Sequence, residues 1–130
     1  MDILVPIDGS ECSMRALRFG ADMATRYEAA LHVVHVTDIE TEATEEIVRR
    51  ATAVCEEAGV DATPEVATDQ KLSFQPSHRI GKDIIHLADE RGYDHVVMGH
   101  HGADAVGRLV LGSAAETVVR ANEIPVTIIP

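Results

Sequence analysis

A chain of 130 residues carrying 22 acidic and 11 basic side chains, for a formal charge of −11, has no basic field with which to displace counterions from a nucleic-acid backbone. Composition therefore argues against nucleic acid as a main partner, and the length suits a single domain, residues 1–130, rather than two. With Phe19 and Phe74 its only phenylalanines and no Trp, the core has to be built from Val, Ile, Leu, Ala and Met, which suits a parallel sheet covered by helices.

The first apolar run, Ile3 to Ile7, predicts a strand. Ser10 follows as an N-cap, and Met14, Leu17, Ala21 and Ala24 recur at helical spacing. Leu31 to Val36 predicts a second strand, in which His32 and His35 point to opposite faces and cannot chelate together. Asp38 to Glu40 turn the chain into a second helix whose stripe is Ala43, Ile47, Ala51, Val54 and Ala58, closed by Gly59. Thr63 to Thr68 predicts a third strand, placed at a sheet edge by Pro64.

Asp69 to Arg79, holding Lys71, Phe74, Pro76 and His78, is longer than the usual connection of about two to six residues. It reads as an exposed excursion, as a strand extended through Leu72 and Phe74, or as a segment that folds over a ligand or meets a partner. Ile80, Ile84, Leu87 and Ala88 mark a third helix that stops near Gly92. Asp94 to Met98 predicts a fourth strand, and Ala114 to Asn122 a fourth helix with Ala115, Val118, Val119 and Asn122 on one face. Val126 to Ile129 predicts the last strand. Five strands alternating with four helices give an α/β, Rossmann-like fold: a doubly wound, five-stranded parallel sheet with right-handed crossovers and helices on both faces.

The stretch Met98-Gly99-His100-His101-Gly102, nine further residues, and then Gly112-Ser113-Ala114 reads as an anion cradle. Glycines let backbone N–H groups approach a ligand without a Cβ in the way, and Ser113 stands where a helix begins, at the positive end of its dipole. Strand, glycine loop and helix is the order a phosphate site needs, and in an open parallel sheet the ligand lies beyond the carboxyl ends of the strands. The first strand, running into Asp8-Gly9-Ser10, supplies a second exit of this kind. Ser113 with Glu116 also reads as a capping box, which accounts for the serine but not for the glycines. Asp8 can accept hydrogen bonds from a ribose or an adenine amine, or cap the helix instead.

The spacing G-x-x-G, nine residues, G-[ST] resembles the signature of ATP-binding members of the universal stress protein family, and the likeness extends over essentially the whole chain. The resemblance implies sheet order 3-2-1-4-5 and a bound ATP, ADP or AMP, with Mg²⁺. It implies that Asp8 helps hold the nucleoside, that backbone at Val36 meets the adenine, and that Pro6, Ile7, Ser10, Met98 and His101 line the pocket. Gly99, Gly102, Gly112, Ser113 and Ala114 would cradle phosphates together with Arg108. One departure stands out: the family often carries Arg or Lys directly after the second glycine, whereas this chain has Ala103 and Asp104, leaving Arg108 the only cation inside the motif. That departure implies a modest affinity, or a mono- or diphosphate as the preferred ligand.

The resemblance further implies a nucleotide-dependent regulatory or protective role in the stress response, with an unidentified protein partner, and a homodimer through Val126–Ile129, an edge strand of the kind that invites pairing. The alternative is a nucleotide-free interaction module of the same fold, in which the glycines are architectural. No G-x-S-x-G, Walker A lysine or cysteine with an evident base points to an enzyme, and slow ATP hydrolysis is expected only as a by-product. No metal site is expected from the histidines, because His100 and His101 are adjacent and only His78 or His86 could join them, against the three or four ligands zinc requires. Cys12 and Cys55 make no disulfide or metal framework, and neither a signal-peptide pattern nor a membrane-length apolar run is present. A cytoplasmic protein away from membranes is expected. Nine Arg against two Lys, with abundant acid, suits solubility in high salt and a halophilic source.

Overall fold

Among the described residues strands and helices alternate: β1 (Asp2–Ile7), α1 (Glu11–Tyr27), β2 (Ala30–Val36), α2 (Glu42–Ala58), β3 (Glu65–Ala67), α3 (Ile80–Arg91), β4 (His95–Gly99), α4 (Ser113–Ala121) and β5 (Val126–Ile129). The computed structural model describes residues 1–68, 80–100 and 111–130, so the segment 69–79 lies outside the described residues. All five strands are parallel and lie in the order β3-β2-β1-β4-β5. This is the doubly wound sheet the sequence predicts.

Alternation along the strands sends side chains into two cores. Ile3, Val5 and Val33 pack with Met14 and Leu17 of α1 and Ala51 and Val54 of α2. Leu4, Val34 and Val96 pack on the other face with Ile84 and Leu87 of α3 and Ala115 and Val118 of α4. His32 and His35 follow the same alternation. His32 Nε2 meets Asp2 Oδ1 at 2.7 Å while its ring stacks on Tyr93, and His35 Nδ1 meets the Ile7 carbonyl at 2.8 Å.

Departures from expectation occur where elements begin and end. Thr63 and Pro64 precede β3 rather than belonging to it, although β3 does lie at the sheet edge. Ala43 and Ala58, at the ends of the α2 stripe, are exposed, and Ile80 at the start of α3 is too, because a terminal turn overhangs the sheet. Helix α4 is capped by Gly112, which makes Ser113 its first helical residue, and no Ser113–Glu116 box forms. Glu116 instead pairs with Arg120 at 2.8 Å, one turn on. Val119 is exposed and Asn122 adopts the left-handed C-cap conformation, so Ala115 and Val118 carry the packing of that helix.

One feature of the sheet opens the site. β1 pairs with β2 from Asp2–Ala30 to Ile7–His35, but with β4 only at Ile3–His95 and Leu4–Val96. The Asp2 carbonyl accepts from Asp94 N–H at 2.9 Å, so by alternation Leu4 and Pro6 also turn their backbone groups toward β4. Pro6 has no N–H to donate, and the ladder stops before it. The carboxyl ends of β1 and β4 thus stand side by side without a ladder between them, where the strand order reverses direction. In doubly wound sheets this is where ligands enter.

Candidate functional site

On one side of the crevice, the turn after β1 is tied by short-range hydrogen bonds. Asp8 Oδ1 accepts from Ser10 N–H at 2.9 Å and from Ser10 Oγ at 2.6 Å. Ser10, in turn, is the N-cap of α1, its Oγ accepting from Ser13 N–H at 3.0 Å. The cap is therefore Ser10, and Asp8 organises the turn in front of it while remaining exposed at the sheet edge. Gly9 between them has φ +87°, the left-handed region, and a Cβ there would also lie 2.9 Å from Ile47 Cγ1. Arg50 of α2 closes over the same turn, donating to the Gly9 carbonyl at 2.9 Å and to Glu11 Oε1 at 2.6 Å.

The other side is built from the end of β4 and the start of α4. Gly99 lies so close to α1 that a Cβ would stand 2.7 Å from Cys12 Sγ and 3.2 Å from the Cys12 carbonyl carbon. This need for glycine comes from packing, independently of any ligand. His100 N–H donates to the Ile129 carbonyl at 2.8 Å, and Gly112 N–H donates to the His100 carbonyl at 2.6 Å. The two ends of the glycine motif are thereby joined at the carboxyl edge of β4. Gly112 has φ −61° and ψ 155°, a conformation open to any residue, so its backbone shape alone does not demand glycine. The first helical bond of α4 runs from Glu116 N–H to the Gly112 carbonyl, which leaves the N–H groups of Ser113, Ala114 and Ala115 without helical acceptors.

Pro6, Ile7, Val36 and Met98 are buried at the carboxyl ends of β1, β2 and β4, the floor on which a ligand at this edge would rest. Ser113 is exposed, and Ala114 half-buried, on the first turn of α4. His101, Gly102 and Arg108 lie outside the described residues, as do Ala103 and Asp104. Sequence reasoning missed Cys12, His35 and Arg50, each of which reaches the site from another element. No local pattern marks such residues, because their partners are distant in the chain.

Titration adds two points. Burial, and secondarily Glu56, push the Cys55 thiol up, which disfavours the nucleophilic thiolate. Burial pushes His95 down, favouring a neutral ring beside Thr127 Oγ1 at 2.8 Å. Among the described residues no three His, Cys, Asp or Glu side chains gather as a metal site, and no helix is long and apolar enough to cross a membrane.

This architecture has close counterparts. A universal stress protein in complex with cAMP superposes with a TM-score of 0.77 at 24% identity, over 98% of this chain and 94% of that one. The universal stress protein from Archaeoglobus fulgidus in complex with dAMP gives a TM-score of 0.76 at 22% identity, over 100% and 98%. In sequence, a putative universal stress protein of Staphylococcus haemolyticus is 31% identical over 132 residues, spanning 92% of this chain and 78% of its relative. The model of the universal stress protein family matches residues 1–130. The family match runs along the entire length and the sheet order agrees with it, and the chain belongs to the universal stress protein family.

Proposed function

We propose that the chain binds an adenine nucleotide, ATP, ADP or AMP, in the crevice between β1 and β4, and acts through that binding as a regulatory or protective dimer in the cytoplasmic stress response. The observation that carries this reading is convergence: the Asp8–Ser10 turn and the first turn of α4, whose N-cap Gly112 offers no side-chain acceptor, flank the point where the β1–β4 ladder stops. The N–H groups of Ser113 and Ala114, at the positive end of the helix, suit phosphate. An exposed Asp8 carboxylate suits a ribose hydroxyl or an amine. The relatives solved with cAMP and dAMP support the adenine class.

Binding rather than turnover is the proposed activity. Nucleotide shifts the population of conformations at the edge of the sheet, which requires that those conformations differ in affinity for it. The Asp8 carboxylate and the Ser10 and Ser113 hydroxyls at this edge are oxygens of the kind Mg²⁺ accepts. When bound, Mg²⁺ would offset phosphate charge in a chain of formal charge −11.

The test is titration of MgATP, MgADP and AMP into the wild type and Asp8→Ala by calorimetry. Asp8→Ala is expected to weaken binding at least about tenfold, the effect of losing one charge-assisted hydrogen bond. Unchanged affinity removes Asp8 from the site. A second reading, the nucleotide-free interaction module, draws on Gly99, whose lack of a side chain is demanded by Cys12 with or without ligand. On that reading no nucleotide binds the wild type, and Gly112→Val changes stability alone.

A further inference from the structure

The turn after β1 is held from outside by α2, a helix that forms neither side of the crevice. On α2, Ile47 and Arg50 stand three residues apart and so share one face. Ile47 Cγ1 lies 2.9 Å from where a Cβ on Gly9 would stand, and Arg50 donates from Nη1 to the Gly9 carbonyl at 2.9 Å. Its Nη2 donates to Glu11 Oε1 at 2.6 Å. One half-buried guanidinium thus grips the residue before Ser10 and the residue after it.

Ser10 is the residue that holds Asp8. Its N–H and Oγ both donate to Asp8 Oδ1, and its Oγ accepts from Ser13 N–H. Asp8 N–H reaches Ser13 Oγ at 3.3 Å, and that hydroxyl donates to the Ser10 carbonyl at 2.9 Å. These bonds are local, and the pivot of the turn they build is Gly9, whose φ of +87° goes with a large freedom to lose on ordering. Arg50 supplies the tie from a distance, 41 residues along the chain from Gly9. Its planar fork holds two acceptors in fixed relative geometry, which a lysine ammonium cannot do.

The neighbouring arginine behaves differently. Arg49 pairs with Glu46 inside α2, its side chain 70% exposed against 36% for Arg50. Arg26 with Asp22 and Arg120 with Glu116 are likewise pairs within one helix. Exposed pairs of that kind contribute little. Arg50 is tied instead to the turn that carries a site residue.

Resting on the nucleotide-binding reading above, we propose that Arg50 is a positioning residue for the bound nucleoside, acting through Gly9 and Ser10 on the carboxylate of Asp8. It holds the turn in its binding shape before the ligand arrives, so that less ordering is left to the binding step. Arg50 touches no ligand in this scheme. Its influence is confined to the part of the ligand that Asp8 meets, the nucleoside, and is the same whether one, two or three phosphates follow.

Calorimetric titration of AMP, MgADP and MgATP into the full chain and its variants tests the assignment. Arg50→Ala is expected to weaken all three nucleotides about fivefold, a coupling common among residues of one hydrogen-bond network. In an Asp8→Ala background the same substitution is expected to change affinity by less than about twofold, because the group it positions is gone. Arg49→Ala, which removes the same charge one residue away, is expected to leave affinity unchanged. Arg50→Lys keeps the charge and the stem but not the fork, and it loses affinity in the same Asp8-dependent way should Arg50→Ala fold poorly. Affinity within twofold of the wild type in both Arg50 variants overturns the proposal, and so does an equal loss in Arg49→Ala. A loss that persists without Asp8, or that grows from AMP to MgATP, makes Arg50 a direct ligand and overturns its positioning role. A wild type that binds no nucleotide contradicts the functional reading itself, and the role of Arg50 falls with it.

Discussion

At Gly99 the backbone of β4 approaches α1 too closely for any side chain, since a Cβ would sit 2.7 Å from Cys12 Sγ. Gly99→Ala must push α1 and β4 apart, a form of overpacking that costs about 1–3 kcal/mol. Urea unfolding should show that loss, and Cys12→Ala in the same chain should recover part of it, because the two atoms in conflict are then smaller. Strictly additive losses in the double variant would contradict the contact. The sequence displays Gly99 as a member of a spaced motif, but its clash with Cys12 becomes visible only when α1 is laid on the sheet. Ser10 was legible as a cap because its partner, Ser13, is three residues away. Arg50, whose acceptors are Gly9 and Glu11, was not. Pro6 was legible as a site residue through the family likeness alone. Its effect on the β1–β4 ladder depends on knowing that its nitrogen faces β4.

Among the elements of the described residues, periodicity placed each strand and helix, because each buries a stripe or a face and the spacing of apolar residues reports it. Ends were read less well. Gly112 rather than Ser113 caps α4, and Val119 on that helix is exposed, since a helix at the margin of the sheet has less to cover. Val119 flanks β5, the strand expected from the family likeness to pair with a second copy. Ile128→Lys places a charge in the middle of that edge, and sedimentation velocity should then report a monomer whose circular dichroism is retained. A dimer unchanged in size would move the interface to another surface.

For the molecule as a whole, the formal charge of −11 is the dominant electrostatic fact. Like charges repel across the compact state, and salt screens them, with a Debye length falling from about 30 Å at 0.01 M to about 3 Å at 1 M. The melting temperature is expected to rise between 10 mM and molar KCl, by several degrees for each 1 kcal/mol of repulsion relieved in a chain of this size, on the order of 4 °C. A flat or falling melting temperature would rule out adaptation to high salt. The same charge makes phosphate binding a demanding test of the crevice, because backbone donors and bound Mg²⁺ have to outweigh the field of the whole chain. The central claim is therefore best tested on protein purified in high salt without added nucleotide, then denatured, with any released small molecule identified by chromatography and mass spectrometry. Recovery of stoichiometric ATP, ADP or AMP is the predicted result and names the ligand. An empty protein that also fails to take up MgATP on titration would contradict nucleotide binding and leave the interaction module in its place.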